Sequence, residues 1–137
     1  MSTSLTALLG FAGWTVLLVL VVLLFRVFLV FTGQKKANSW GRGEPVPADQ
    51  PGFFTRAGHA HQNCLESLPI FAAIVVAASA SGKLVVIDAV AMWVLYARIA
   101  QSLTHLVGTS HWLVFIRANF FTAQLLLYAY MIWGLLR

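Results

Sequence analysis

Charge is what this chain has least of. Only 9% of its 137 residues are Asp, Glu, Lys or Arg, where a soluble domain carries roughly a quarter, and 60% are hydrophobic. A surface solvated mainly by water is excluded, and lipid is the solvent that this composition fits. Cysteine is nearly absent as well. The single thiol, Cys64, excludes an intrachain disulfide framework and any metal site built from several thiolates, so the redox compartment is not readable from it. Acids are scarcer than bases, four against nine Lys and Arg, for a formal charge of +5. Cations so few and scattered exclude a nucleic-acid footprint, and fit membrane topology and an anionic ligand instead.

What the chain has is long apolar runs. They predict helices over about 4–33, 53–81, 83–107 and 111–136, each long enough to cross a hydrocarbon core of about 30 Å, which takes roughly 20 residues. The fold expected is an all-α, integral membrane four-helix bundle forming a single domain over 1–137. The first run is too long for a signal peptide, and the opening MSTS has no positive charge. Gly10 and Gly13 offer small spots for close helix packing. Pro69 predicts a kink in the second span, while Trp112 and Trp133 flank the fourth as interfacial anchors. Between the first two spans, residues 34–52 read QKKANSWGRGEPVPADQPG. Lys35, Lys36 and Arg42 mark this loop as cytoplasmic, which puts both termini on the opposite side of the membrane.

The apolar pattern breaks in the stretch RAGHAHQNCLESLP, from Arg56 to Pro69. Arg56, His59, Asn63 and Glu66 fall at i, i+3, i+7 and i+10, one face of a helix. Ionisable groups inside a span are costly and mark functional sites by default. Counting inward from the span ends, Glu66, Arg98, Arg117 and Arg26 each lie about five residues inside the same boundary, which predicts one charged layer. Arg26, Arg56, Arg98 and Arg117 against Glu66 give that layer a net charge of +3. Gln101 and His105 extend the stripe of Arg98, and Gln124 and Tyr128 that of Arg117. Glu66 is expected to pair with Arg98 or Arg117, leaving a basic pocket suited to an anion. Stripes serving only as hydrogen-bond glue between helices are the plainer reading, but glue needs amides and hydroxyls more than unbalanced arginines.

At these residues the sequence resembles the MAPEG family, the membrane-associated proteins in eicosanoid and glutathione metabolism. The resemblance rests on R-A-x-x-A-H-x-N-x-x-E-x-x-P-x-F, here Arg56, Ala57, Ala60, His61, Asn63, Glu66, Pro69 and Phe71. Arg98 on the third span and Arg117 near the start of the fourth support it. What it implies is a homotrimer with glutathione, as co-substrate, at each subunit interface. Asn63 and Glu66 would contact the peptide, and Arg98 would support that network; from their own polar stripes, Arg56, His59, Gln101 and His105 are expected to complete the binding surface. Arg117 would be the catalytic residue beside the thiol. A thiol of ordinary pKa about 8.5 is mostly protonated at neutral pH, and a neighbouring guanidinium favours the nucleophilic thiolate. The implied activity is a glutathione S-transferase or peroxidase acting on hydrophobic small molecules that arrive through the bilayer.

Two other classes compete. A non-catalytic bundle would keep the fold without turnover. A small four-span transporter would use Glu66 as its coupling carboxylate, although a lone carboxylate among arginines is a poor proton carrier. Of the remaining residues, Cys64 lies one position off the stripe and is expected to pack. His61, equally off the face, is expected to be structural. His59, His105 and His111 lack a close i, i+4 ligand pair on one helix, so no metal is expected. Asp88 sits near the opposite boundary, where it pairs with Lys83 or caps a helix.

Overall fold

Each apolar run becomes one helix. In the computed structural model, which describes residues 1–137, these are α1 (Thr3–Phe31), α2 (Gly52–Ala80), α3 (Leu84–Val107) and α4 (His111–Leu136). Every boundary lies within two residues of its expected position. All four helices are long and apolar enough to cross a membrane. The connection between α1 and α2 is irregular apart from a short 3₁₀ turn, Ala37–Trp40. This long loop and the α3–α4 turn lie at one end of the bundle, here the loop end. The two termini and the α2–α3 turn lie at the other, the termini end.

Glycine stops two of the helices. Gly33 (φ +70°) follows α1 and Gly82 (φ +68°) follows α2, both in the left-handed region that a Cβ disfavours. Each lets the next residue turn back: Gln34 N–H donates to Leu29 O at 2.9 Å, and Lys83 N–H to Ala78 O at 2.8 Å. These six-to-one bonds satisfy carbonyls that a helix end would otherwise leave open. Pro69 is carried inside an unbroken α2, where it supplies no N–H to the carbonyl of Leu65.

The helix α3 is the hub, packing against α1, α2 and α4, while α4 rests mainly on α3 and barely touches α2. Phe11, Phe71, Ile87, Val94 and Met131 are wholly buried between the helices. Gly10 lies at the α1–α3 contact, where a Cβ would fall 2.7 Å from Leu95 Cδ2 and displace that side chain. Gly13 faces open space, so only the first of the two expected small spots is a packing site. Outward-facing residues such as Leu24, Trp93 and Leu126 are apolar, as a lipid-facing surface requires.

Both ends are tied by charge. At the termini end, Asp88 accepts from the backbone N–H of Ser4 (2.8 Å) and from its hydroxyl, so a carboxylate on α3 caps the first turn of α1, where the helix dipole favours it. Lys83 is not its partner, because its Nζ donates to Leu135 O at the end of α4, 2.9 Å away. At the loop end, Lys35 Nζ lies 2.7 Å from Asp49. The hydrogen bond from Lys35 holds the Asp49 carboxyl below its ordinary range. Trp40 Nε1 donates to Gln50 Oε1, and Gln50 Nε2 donates to Thr55 Oγ1, both at 2.9 Å. The loop is thereby strapped onto the start of α2, beside Phe25 stacked on Phe54 at 3.7 Å.

Candidate functional site in a groove between the second and fourth helices

The buried face of α2 is Ala57, Ala60, Cys64, Ser67 and Phe71, one residue off the polar stripe of Arg56, His59, Asn63 and Glu66. The stripe therefore runs along the shoulder of the buried face. Arg56 and Asn63 are half-buried, while His59 and Glu66 are exposed. Because α4 leans on α3 and away from α2, this shoulder borders a groove of about 260 Å³. Asn63 and Glu66 of α2, Gln101 of α3 and Arg117 of α4 line its polar side, and Val114, Ala118 and Phe121 of α4 line its apolar side.

Four of the expected site residues thus meet in one place. The others are arranged above and beneath it. Toward the loop end, Arg56 Nε donates to Leu106 O at 3.0 Å, a cation on the last turn of α3 where the helix dipole favours one. His59 and His105 face each other there, ring centroids 6.0 Å apart. Arg98 does not line the groove. It is wholly buried, donating to the hydroxyl of Ser67, with its guanidinium 5.3 Å from the ring centroid of Phe11 and its Nε unpartnered. Gln101 is fixed from behind by Gln124, whose Nε2 donates to its Oε1 at 2.9 Å.

Two expectations are corrected. The ion pair of Glu66 with Arg98 or Arg117 is not formed within the chain, whose one salt bridge is Lys35 with Asp49. Glu66 points out of the bundle, whereas Arg98 points into it. Nor does Arg26 share a layer with Arg98, although Glu66 and Arg117 do meet at the groove. Arg98 sits at the level of Phe11, and Arg26 lies fifteen residues further along α1, about 22 Å of helix rise. Arg26 instead reaches the loop, where its guanidinium packs 5.4 Å from the Trp40 ring. Depth counted along a sequence locates backbones, while a long side chain chooses its own height.

Cys64 and His61 take the packing roles expected of them. The Cys64 thiol is buried, 3.8 Å from Ser102 Oγ, and His61 Nδ1 lies 3.1 Å from Thr15 O on α1. Ser67, which takes a hydrogen bond from Arg98, and the apolar wall of the groove were not expected from the sequence. The wall had a signal: Val114, Ala118 and Phe121 recur at i, i+4 and i+7 around Arg117.

The MAPEG family model matches residues 5–137, nearly the whole chain. The chain belongs to the MAPEG family. With four spanning helices, this MAPEG protein is an integral membrane protein of a family that includes glutathione-dependent enzymes. No curated protein and no solved structure matches it.

Proposed function

We propose that this MAPEG protein binds glutathione in the groove between α2 and α4 and uses its thiol against hydrophobic electrophiles, as a transferase or a peroxidase. The observation that carries the reading is the groove's donor set. Asn63 and Gln101 supply amides that suit peptide groups, Glu66 a carboxylate that suits an ammonium, and Arg117 a guanidinium that suits a carboxylate or thiolate. No salt bridge inside the chain consumes Glu66 or Arg117.

The groove's size supports an oligomer, and the trimer that the family resemblance implies would supply one. At about 260 Å³ it falls below the roughly 300–1,000 Å³ of sites that enclose a small molecule. Glu66 and His59, exposed on the flank of a spanning helix, would otherwise meet lipid. A second copy closing the groove removes both difficulties, so the site belongs at a subunit interface. Lys35, Lys36 and Arg42 orient the loop end toward the cytoplasm, where a water-soluble peptide can enter.

Glutathione supplies a thiol nucleophile. Arg117 holds that sulfur as thiolate by its positive charge. Asn63 and Gln101 fix the backbone of the peptide, and Glu66 orients its amino end. The apolar wall of Val114, Ala118 and Phe121 admits the electrophile from the lipid side and excludes water. With an aryl chloride, a carbon–sulfur bond forms and chloride leaves with its electron pair. With a lipid hydroperoxide, two thiols become a disulfide while the peroxide is reduced to alcohol and water. The test is purified protein with glutathione and a chloronitrobenzene acceptor. A thioether product is expected, and Arg117→Leu should lower turnover by about 10²-fold, as losing an electrostatic stabiliser does. The absence of both product and glutathione binding overturns the reading.

A further inference from the structure

Arg26 is the one arginine in a span with neither a hydrogen bond nor a place at the groove. It interrupts a run of α1 that is otherwise apolar from Val16 to Phe31. Its guanidinium makes no hydrogen bond or ion pair within the chain, and its Nε is buried without a partner. None of the acids serves it: Asp49 is held by Lys35, Asp88 caps α1 at the far end, and Glu66 borders the groove. The fourth acid, Glu44, is exposed in the loop and forms no salt bridge. Arg26 sits at the head of a separate hollow of about 310 Å³. Leu23, Val27, Val30 and Phe31 form its wall, and Trp40 closes its loop end.

We infer that this hollow holds an anionic phospholipid, with its phosphate on Arg26 and an acyl chain along Leu23 and Val27. The guanidinium fork matches phosphate oxygens, and arginine suits that geometry better than lysine. The indole of Trp40 is at home at the height of lipid headgroups, and its hydrogen bond to Gln50 fixes it there. Lys36, exposed just before the 3₁₀ turn, adds a second positive charge near the surface, which selects anionic over zwitterionic headgroups. Leu23 and Val27 remain 49% and 39% exposed, a strip for an acyl chain below the headgroup. A free phosphate would leave that strip uncovered. The inference uses no residue of the α2–α4 groove, so it stands or falls independently of glutathione binding.

The experiment reconstitutes the full chain into phosphatidylcholine vesicles carrying a minority of phosphatidylglycerol, with brominated acyl chains on one lipid or the other. Tryptophan quenching is read, and the Trp40→Phe protein isolates the share due to Trp40. Phosphatidylglycerol is expected to quench Trp40 with about a tenfold preference over its bulk share, the equivalent of one charge-assisted hydrogen bond. Arg26→Gln should lose most of that preference, leaving only the smaller share due to Lys36, and Arg26→Lys should keep more of it. Equal quenching by both lipids overturns the inference, as does a preference undiminished in Arg26→Gln. Quenching by neither lipid means that a second copy covers this face, which also overturns it. Inorganic phosphate that abolishes the preference at constant ionic strength would assign the hollow to a free anion and refute the lipid. The wild-type comparison of the two lipids decides the matter even where Arg26→Gln fails to fold.

Discussion

Arg98 of α3 donates from Nη2 to the hydroxyl of Ser67 on α2 in the middle of the bundle, and no carboxylate lies within salt-bridge distance of it. A wholly buried guanidinium without a counter-ion is costly, so each hydrogen bond that it keeps matters more than usual. The Ser67→Ala protein should be less stable by about 1–3 kcal/mol, measured by unfolding in detergent. In an Arg98→Met background the same change should have little effect, since the charge that needs the hydroxyl is gone. Equal losses in both backgrounds would contradict this coupling.

The Asp88 cap is the second stability test. Asp88→Ala leaves the N–H and hydroxyl of Ser4 unpartnered in the first turn of α1, and Ser4 is itself buried. A destabilisation of about 0.5–2 kcal/mol is expected, the usual scale for a lost N-cap. Lys83→Ala should not reproduce it, because Lys83 serves α4. Equal effects of the two changes, or no effect of Asp88→Ala, would show that the cap does not hold α1.

The strap at the loop end is pH-sensitive in one direction. The Asp49 carboxyl titrates below its ordinary value of 3.8 because Lys35 donates to it. A depressed carboxylate contributes stability above that ordinary value and loses it as the pH falls through the lowered one. The loop contact should therefore persist through the neutral range and open only in strong acid. Carboxyl NMR of Asp49 checks this. In Lys35→Ala the titration should move up toward 3.8, and an unchanged titration would mean that the pair does not form in solution.

The helices were legible because apolar runs bounded by Ser-Gly, by Gly-Thr-Ser and by a Pro-rich loop leave few alternatives. The rotation of each helix was not. The spacing of Arg56, His59, Asn63 and Glu66 defines a face but not where it points, and α2 buries the face one residue away. That offset turns Glu66 outward to the groove while Arg98 turns inward to Ser67, and it undoes the ion pair that composition suggested. Arg26 was misplaced for a related reason. Its guanidinium goes to Trp40, whose position depends on Gln50 and Thr55. No local pattern in the sequence announces that chain of contacts.

The central claim is that Asn63, Glu66, Gln101 and Arg117 form a glutathione site. Titration calorimetry of glutathione into the purified, detergent-solubilised protein tests it most directly. Saturable binding is predicted for the wild type. Arg117→Leu should bind about 10–100-fold more weakly, the loss of a hydrogen bond from a charged group, and Ser67→Ala, lying behind the groove, should bind more nearly as the wild type does. A wild-type protein that gives no saturable heat, or an Arg117→Leu protein that binds as tightly as the wild type, contradicts the account.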